Sequence, residues 1–229
     1  YYFLAESYMQ QQMPAEAAEA YAKYLELKPG VLDDIIQKRR AEALMAAGNY
    51  TGAIEAYQAA ITAGSDRGQA LIKIGQAYAA LSDFSNAVKT YLEAYNSTDN
   101  EYIKAQANLL SGQIYMELGF PEQAYARYQD SISNFQHAYD SYTGLVTLVN
   151  DGIPVNELDR GMVDYYAGQY GYAAEALARY IASQPNHDGA AHHFRALSLR
   201  QMSEYTAAIE EWRILINDHP EDEYWSDAW

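Results

Sequence analysis

The chain has 229 residues, 49% of them apolar, no cysteine and a formal net charge of −16; a disordered tail, disulfides and thiolate metal centres are thereby excluded. The acidic excess also excludes nucleic acid, whose binding rests on basic side chains displacing counterions, and no apolar run approaches the ~20 residues of a membrane span. Residues 1–114 carry 9 basic and 13 acidic side chains, whereas residues 115–229 carry 6 and 18; for a chain this acidic, a basic partner or a basic neighbouring domain is the electrostatically easier companion. Plentiful alanine, few prolines and 23 tyrosines predict an all-α fold thin enough for many half-buried rings.

Taken in chain order, an alanine followed four residues later by a large side chain recurs at Ala17/Tyr21, Ala53/Tyr57, Ala87/Tyr91, Ala124/Tyr128, Ala173/Leu177 and Ala208/Trp212. Twelve residues before each alanine stands a small residue: Ala5, Ala41, Gly75, Gly112, Gly161 or Ala196. Five before it are Gln12, Gly48, Ser82, Gly119, Gly168 and Ser203, and the twelfth after it is proline at Pro29, Pro185 and Pro220. Small residues at two helical positions permit close crossing of a helix pair, called A and B below. The large side chain shares the alanine's face and is expected to fill the groove against the next pair. Gly or Ser marks the A-to-B turn, and Pro14 and Pro121 fit the first turn of helix B. The hairpins fall near residues 1–31, 34–67, 68–101, 105–136, 154–187 and 189–222.

Asp164 departs from the pattern at a ring position, with Tyr165 and Tyr166 beside it to fill the gap. Between the fourth and fifth hairpins, residues 137–149 form an amphipathic extra helix with Tyr139, Tyr142, Leu145, Val146 and Val149 on one stripe, ended by Asn150-Asp151-Gly152 and Pro154. Residues 223–229 read as the start of a truncated seventh hairpin, so the chain is expected to be a fragment of a longer protein. Its aromatic ends are expected to associate weakly, head to tail.

This spacing resembles the tetratricopeptide repeat family, with its period of about 34 residues. The resemblance implies a right-handed superhelical array of antiparallel helix hairpins, a single solenoid over residues 1–229. It also implies a concave groove, lined by helix A, that takes a protein, a peptide or a neighbouring domain. By register the groove candidates are Tyr2, Met9, Lys38, Met45, Gln76, Gln113, Met116, Met162, Tyr165, His193 and Arg200, with Glu6, Glu42, Ile72, Ala79, Leu109, Leu158 and Leu197 between them. Relatives that hold a C-terminal carboxylate use paired basic residues; Lys38 and Arg200 stand too far apart for that clamp. What remains is apolar and methionine-containing, suited to an adaptable groove or to packing against adjacent helices.

No nucleophile elbow, phosphate loop or His-Glu-x-x-His sequence is present, so no catalytic residue and no cofactor is expected. His187, His192 and His193 are spaced by five and six rather than three or four, which does not place two imidazoles on one helix face, and no metal site is expected. Asn49-Tyr50-Thr51 and Asn96-Ser97-Thr98 match the glycosylation sequon by chance.

Residues 138–182, with the break at Pro154 and the run Arg160-Gly161-x-Val163-Asp164-Tyr165-Tyr166, resemble the helical superhelix of bacterial soluble lytic murein transglycosylases, as do residues 205–229. That resemblance implies a non-catalytic scaffold in the cell envelope or periplasm, placed before a lysozyme-like domain outside this chain. Glu6-Ser7 imitates that domain's catalytic pair but lies on a helix A. The alternative is a stand-alone adaptor, cytoplasmic in that case, binding a peptide or protein in its groove.

Overall fold

A computed structural model describes all 229 residues. They form thirteen α-helices and no strand: α1 Tyr2–Gln10, α2 Pro14–Leu27, α3 Asp33–Ala46, α4 Tyr50–Thr62, α5 Arg67–Ala80, α6 Phe84–Asn96, α7 Glu101–Glu117, α8 Pro121–Asn134, α9 Tyr139–Asn150, α10 Glu157–Tyr166, α11 Tyr170–Ser183, α12 Gly189–Gln201 and α13 Tyr205–Asp218. The chain divides into two compact units, Tyr1–Leu118 and Gly119–Trp229, and the boundary falls inside the predicted fourth hairpin. No helix is long and apolar enough to cross a membrane.

The repeat positions carry the fold. All six anchor alanines are 0–1% exposed. The residue at each A-to-B turn has a positive φ, from 59° at Gln12 to 77° at Gly119; three of the six, Gln12, Ser82 and Ser203, are not glycine and hold a left-handed conformation that L-residues adopt at a cost. Pro14 and Pro121 open α2 and α8, where the missing N–H has no helical acceptor to lose. Short polar residues start several other helices: the side chains of Asn49, Asp66 and Asp83 accept from the backbone N–H of Gly52, Gln69 and Asn86, satisfying donors the helix leaves open.

In the first unit, α1 to α7 pack each on the next, and α5 also meets α7. One continuous core runs from Ala5 to Ile114. On α6 and α11 the large side chain of helix B packs over the small residue of its own hairpin. A methyl group placed on Gly75 would lie 2.3 Å from Cε1 of Tyr91, and one on Gly161 would lie 2.4 Å from Cγ of Leu177. Likewise the Tyr21 hydroxyl donates to Glu6 of its own hairpin.

Gly75→Ala is therefore expected to destabilise the chain by roughly 1–3 kcal/mol through overpacking, although alanine gains up to ~1 kcal/mol over glycine in a helix interior. Gly171, in the first turn of α11, has nothing within 4 Å of an added methyl. Gly171→Ala should thus be neutral or stabilise by up to ~1 kcal/mol. Urea denaturation of both variants checks the pair, and equal effects would contradict the packing.

In the second unit, Tyr128 packs over Gly144 of α9, where a methyl would meet its Cβ at 3.1 Å. Helix α9 thus sets a small residue against the Tyr128 ring. Its buried face is Ser141, Gly144, Leu145 and Leu148, whereas Tyr139, Val146 and Val149 of the predicted stripe are exposed. Beyond α13 the remaining residues pack back on the last helix pair. Tyr224 folds back to stack on His193 with ring centroids 4.6 Å apart, the Trp225 Nε1 donates to the Ile216 carbonyl at 3.0 Å, and Ser226–Ala228 forms a 3-10 turn. Trp229 remains exposed.

Candidate functional site

The helix A candidates of the first unit sit on α1, α3, α5 and α7. Tyr2, Met9 and Met45 are half-buried and pack on the rim of the unit's core, while Lys38 and Gln113 are exposed and Gln76 and Met116 half-buried. Ile72 and Leu109, read as groove positions, are buried core residues. Neighbouring A helices close over them, as α5 does against α7.

Between α3, α4 and α5 lies a depression lined by Ile35, Lys38, Arg39, Glu42, Tyr57 and Lys73, among others. Arg39 pairs with Glu42 at 3.3 Å, and Lys73 donates to the neutral Oε1 of Gln76 at 3.2 Å. Lys38 and Lys73 thus bring two cations without a carboxylate partner to one surface, which the sequence register had not shown because Lys73 stands one residue past the register position Ile72. Asp66, on the rim, is engaged in capping α5. Burial first, and then the Glu42 charge, push the Tyr57 hydroxyl far above its usual range, so it stays a neutral donor. The depression on the B side of the same unit holds Arg67 and Lys89, and there Arg67 is already paired with Glu93.

In the second unit the candidates differ in burial, Met162 and Tyr165 being half-buried, His193 buried and Arg200 exposed. Met162 and Tyr165 pack on the core of α10 to α12, and Tyr165 lies 5.4 Å from the Phe194 ring in a T-shaped contact. His193 is buried under Tyr224, and burial holds its imidazole below the ordinary value. The C-terminal segment thus covers its ring in this structure. Arg200 remains exposed and lies over the Trp212 ring at 5.6 Å.

Two buried polar clusters stand in this unit. Asp164, at the irregular ring position, is buried with Arg160 at 3.7 Å, too far for a hydrogen bond; neither the Asp164 Oδ2 nor the Arg160 Nε has a hydrogen-bond partner. The second cluster gathers His187, His192 and His219, whose ligand nitrogens all lie within 4.8 Å of one another. His187 Nε2 is 2.8 Å from His192 Nε2, and His192 Nδ1 is 2.6 Å from Glu211 Oε2. Arg195 donates to the other oxygen of Glu211. Helical spacing missed the cluster because only His192 is on α12; His187 lies in the loop before it, and His219 follows α13. No local sequence signal joins residues from three elements.

Residues 38–102 and 1–30 match the tetratricopeptide repeat family. No curated protein matches the chain. Among solved structures, it is similar to the crystal structure of MamA with 17% identity and a TM-score of 0.52, covering 78% of this chain and 96% of that one. It is also similar to a tetratricopeptide repeat protein from Parabacteroides merdae with 14% identity and a TM-score of 0.51, covering 96% of this chain and 77% of that one.

Proposed function

We propose that this chain, a tetratricopeptide repeat protein, is a non-catalytic interaction scaffold that binds an extended protein segment along helices α3 and α5 of its first unit. The observation that carries this reading is the depression in which Lys38 and Lys73, neither partnered by a carboxylate, flank Ile35 and Tyr57. An apolar floor with a few convergent polar groups is the usual anatomy of a binding site. Two lysines without carboxylate partners favour a segment carrying an acidic side chain. The net charge of the whole chain does not override this, since exposed charges beyond a Debye length of about 8 Å are screened at physiological salt. Met9 and Met45 along the same helix A series add surface that adapts to different side chains.

The test is a peptide array probed with the purified chain, followed by titration of a bound peptide. Lys38→Glu with Lys73→Glu should weaken binding at least about tenfold, or 1.4 kcal/mol, while circular dichroism stays unchanged. Equal binding by the double variant, or no peptide retained, would overturn the assignment.

A second reading rests on the irregular stretch where α9, the break at Pro154 and α10 follow one another: the chain as the helical scaffold of an envelope lytic transglycosylase. Under that reading, the coding sequence beyond Trp229 specifies a lysozyme-like domain, and its absence excludes this alternative.

A further inference from the structure

We propose that His187, His192 and His219 form a binding site for one divalent transition-metal ion of the zinc class, which clamps the last hairpin. The reasoning starts from the protons. His187 Nδ1 lies 3.0 Å from the Gln184 carbonyl, and His192 Nδ1 lies 2.6 Å from the Glu211 carboxylate. A carbonyl and a carboxylate can only accept, so each imidazole must donate from Nδ1. A neutral imidazole that donates from Nδ1 leaves a bare lone pair on Nε2. The two Nε2 atoms face each other at 2.8 Å, where two lone pairs repel unless a cation sits against both.

A third imidazole completes the set. The His219 ring centroid is 5.2 Å from that of His187 and 5.5 Å from that of His192. An ion with bonds of about 2.0–2.1 Å in tetrahedral geometry sets its nitrogen ligands about 3.3 Å apart. The 2.8 Å pair and the 4.8 Å limit on all three nitrogens bracket that value, so a small closure of His219 forms the site. Three imidazoles without a thiolate select a borderline divalent ion rather than magnesium or calcium, which take oxygen.

The surroundings are those of a metal histidine. Glu211 is buried, orients His192 from its far nitrogen, and is itself held by Arg195; such a carboxylate–histidine pair fixes the tautomer and raises ligand basicity. The fourth position opens on a surface pocket lined by Pro185, Asn186, Ile214 and Asp218 together with His187 and His219. The ligands come from the loop before α12, from the start of α12 and from the end of α13, so a bound ion ties the open end of the final helix pair, opposite its turn at Ser203.

Titration of the full chain with Zn²⁺ by calorimetry, and with Co²⁺ by its d–d absorption, tests the site. One ion per chain is expected, with the intense visible bands of a tetrahedral cobalt centre. His187→Ala and His219→Ala are the informative variants because both residues are only half-buried and their loss should leave helicity intact. Each should weaken binding by more than the roughly 10–100-fold that losing an outer-shell partner costs, and Glu211→Gln should fall within that range. Absence of saturable binding of either ion, or affinity unchanged in both alanine variants, would overturn the proposal and leave a shared proton as the cation between the two rings.

Discussion

Tyr91→Ala is expected to cost about 3–5 kcal/mol, as truncation of a fully buried aromatic side chain does. The ring is 1% exposed, lies against Gly75 of its own hairpin, and belongs to the core that runs through the whole first unit. Burial alone pushes its hydroxyl up to about 12, so it contributes as a neutral ring at any ordinary pH. Glycine at position 75 leaves no side chain able to move into the space the ring vacates. In an array whose repeats touch only their neighbours, this is a large share of a typical total of 5–15 kcal/mol, and the first unit should lose cooperativity before the second. Urea denaturation followed by helical ellipticity measures it. The double variant Gly75→Ala, Tyr91→Ala sharpens the test: the added methyl that clashes with the ring instead fills part of the void. The pair should therefore cost less than the sum of the single changes, with a coupling of about 0.5–3 kcal/mol. A loss below about 1 kcal/mol for Tyr91→Ala, or strict additivity, would sink the packing argument.

The period of the anchor alanines was enough to read the hairpins, because a residue that must be small at a helix crossing leaves no choice of side chain. The turn position was equally legible, and all six predicted residues adopt positive φ. Partner choice was not. The Tyr128 ring lies against Gly144 of α9, a contact that the alanine period does not signal. The groove candidates were half legible for a related reason. Register places a residue on helix A, but whether the next A helix closes over it, as over Ile72, or leaves it open, as at Lys38, depends on contacts between repeats. The stacking of Tyr224 on His193 joins residues too far apart in the chain for register to foresee. The histidine cluster was out of reach of any spacing rule, since two of its three members lie outside helices.

Asp164 should make the chain less stable as pH rises from 4 to 7, and Asp164→Asn should remove that component. The carboxyl is buried, and desolvation, opposed by the Arg160 charge, pushes it up from the usual carboxylate value to about 6. A carboxyl raised in the fold is favoured there as the neutral acid. The stability this confers is fully present below the unfolded value of 3.8 and is lost as pH climbs through about 6. With 1.36 kcal/mol per unit, the shift corresponds to roughly 3 kcal/mol across that window. Asparagine has the same shape and no charge to desolvate. Its cost is the Arg160 interaction, which at 3.7 Å is no hydrogen bond and whose guanidinium keeps partial access to water. Unfolding free energies of both chains at pH 4, 5, 6 and 7 give the comparison. The variant should match the wild type near pH 4 and exceed it increasingly toward pH 7, the rest of the acidic surface contributing equally to both. Parallel curves for the two proteins would show that Asp164 ionises freely, and that its burial against Arg160 is not what sets its proton.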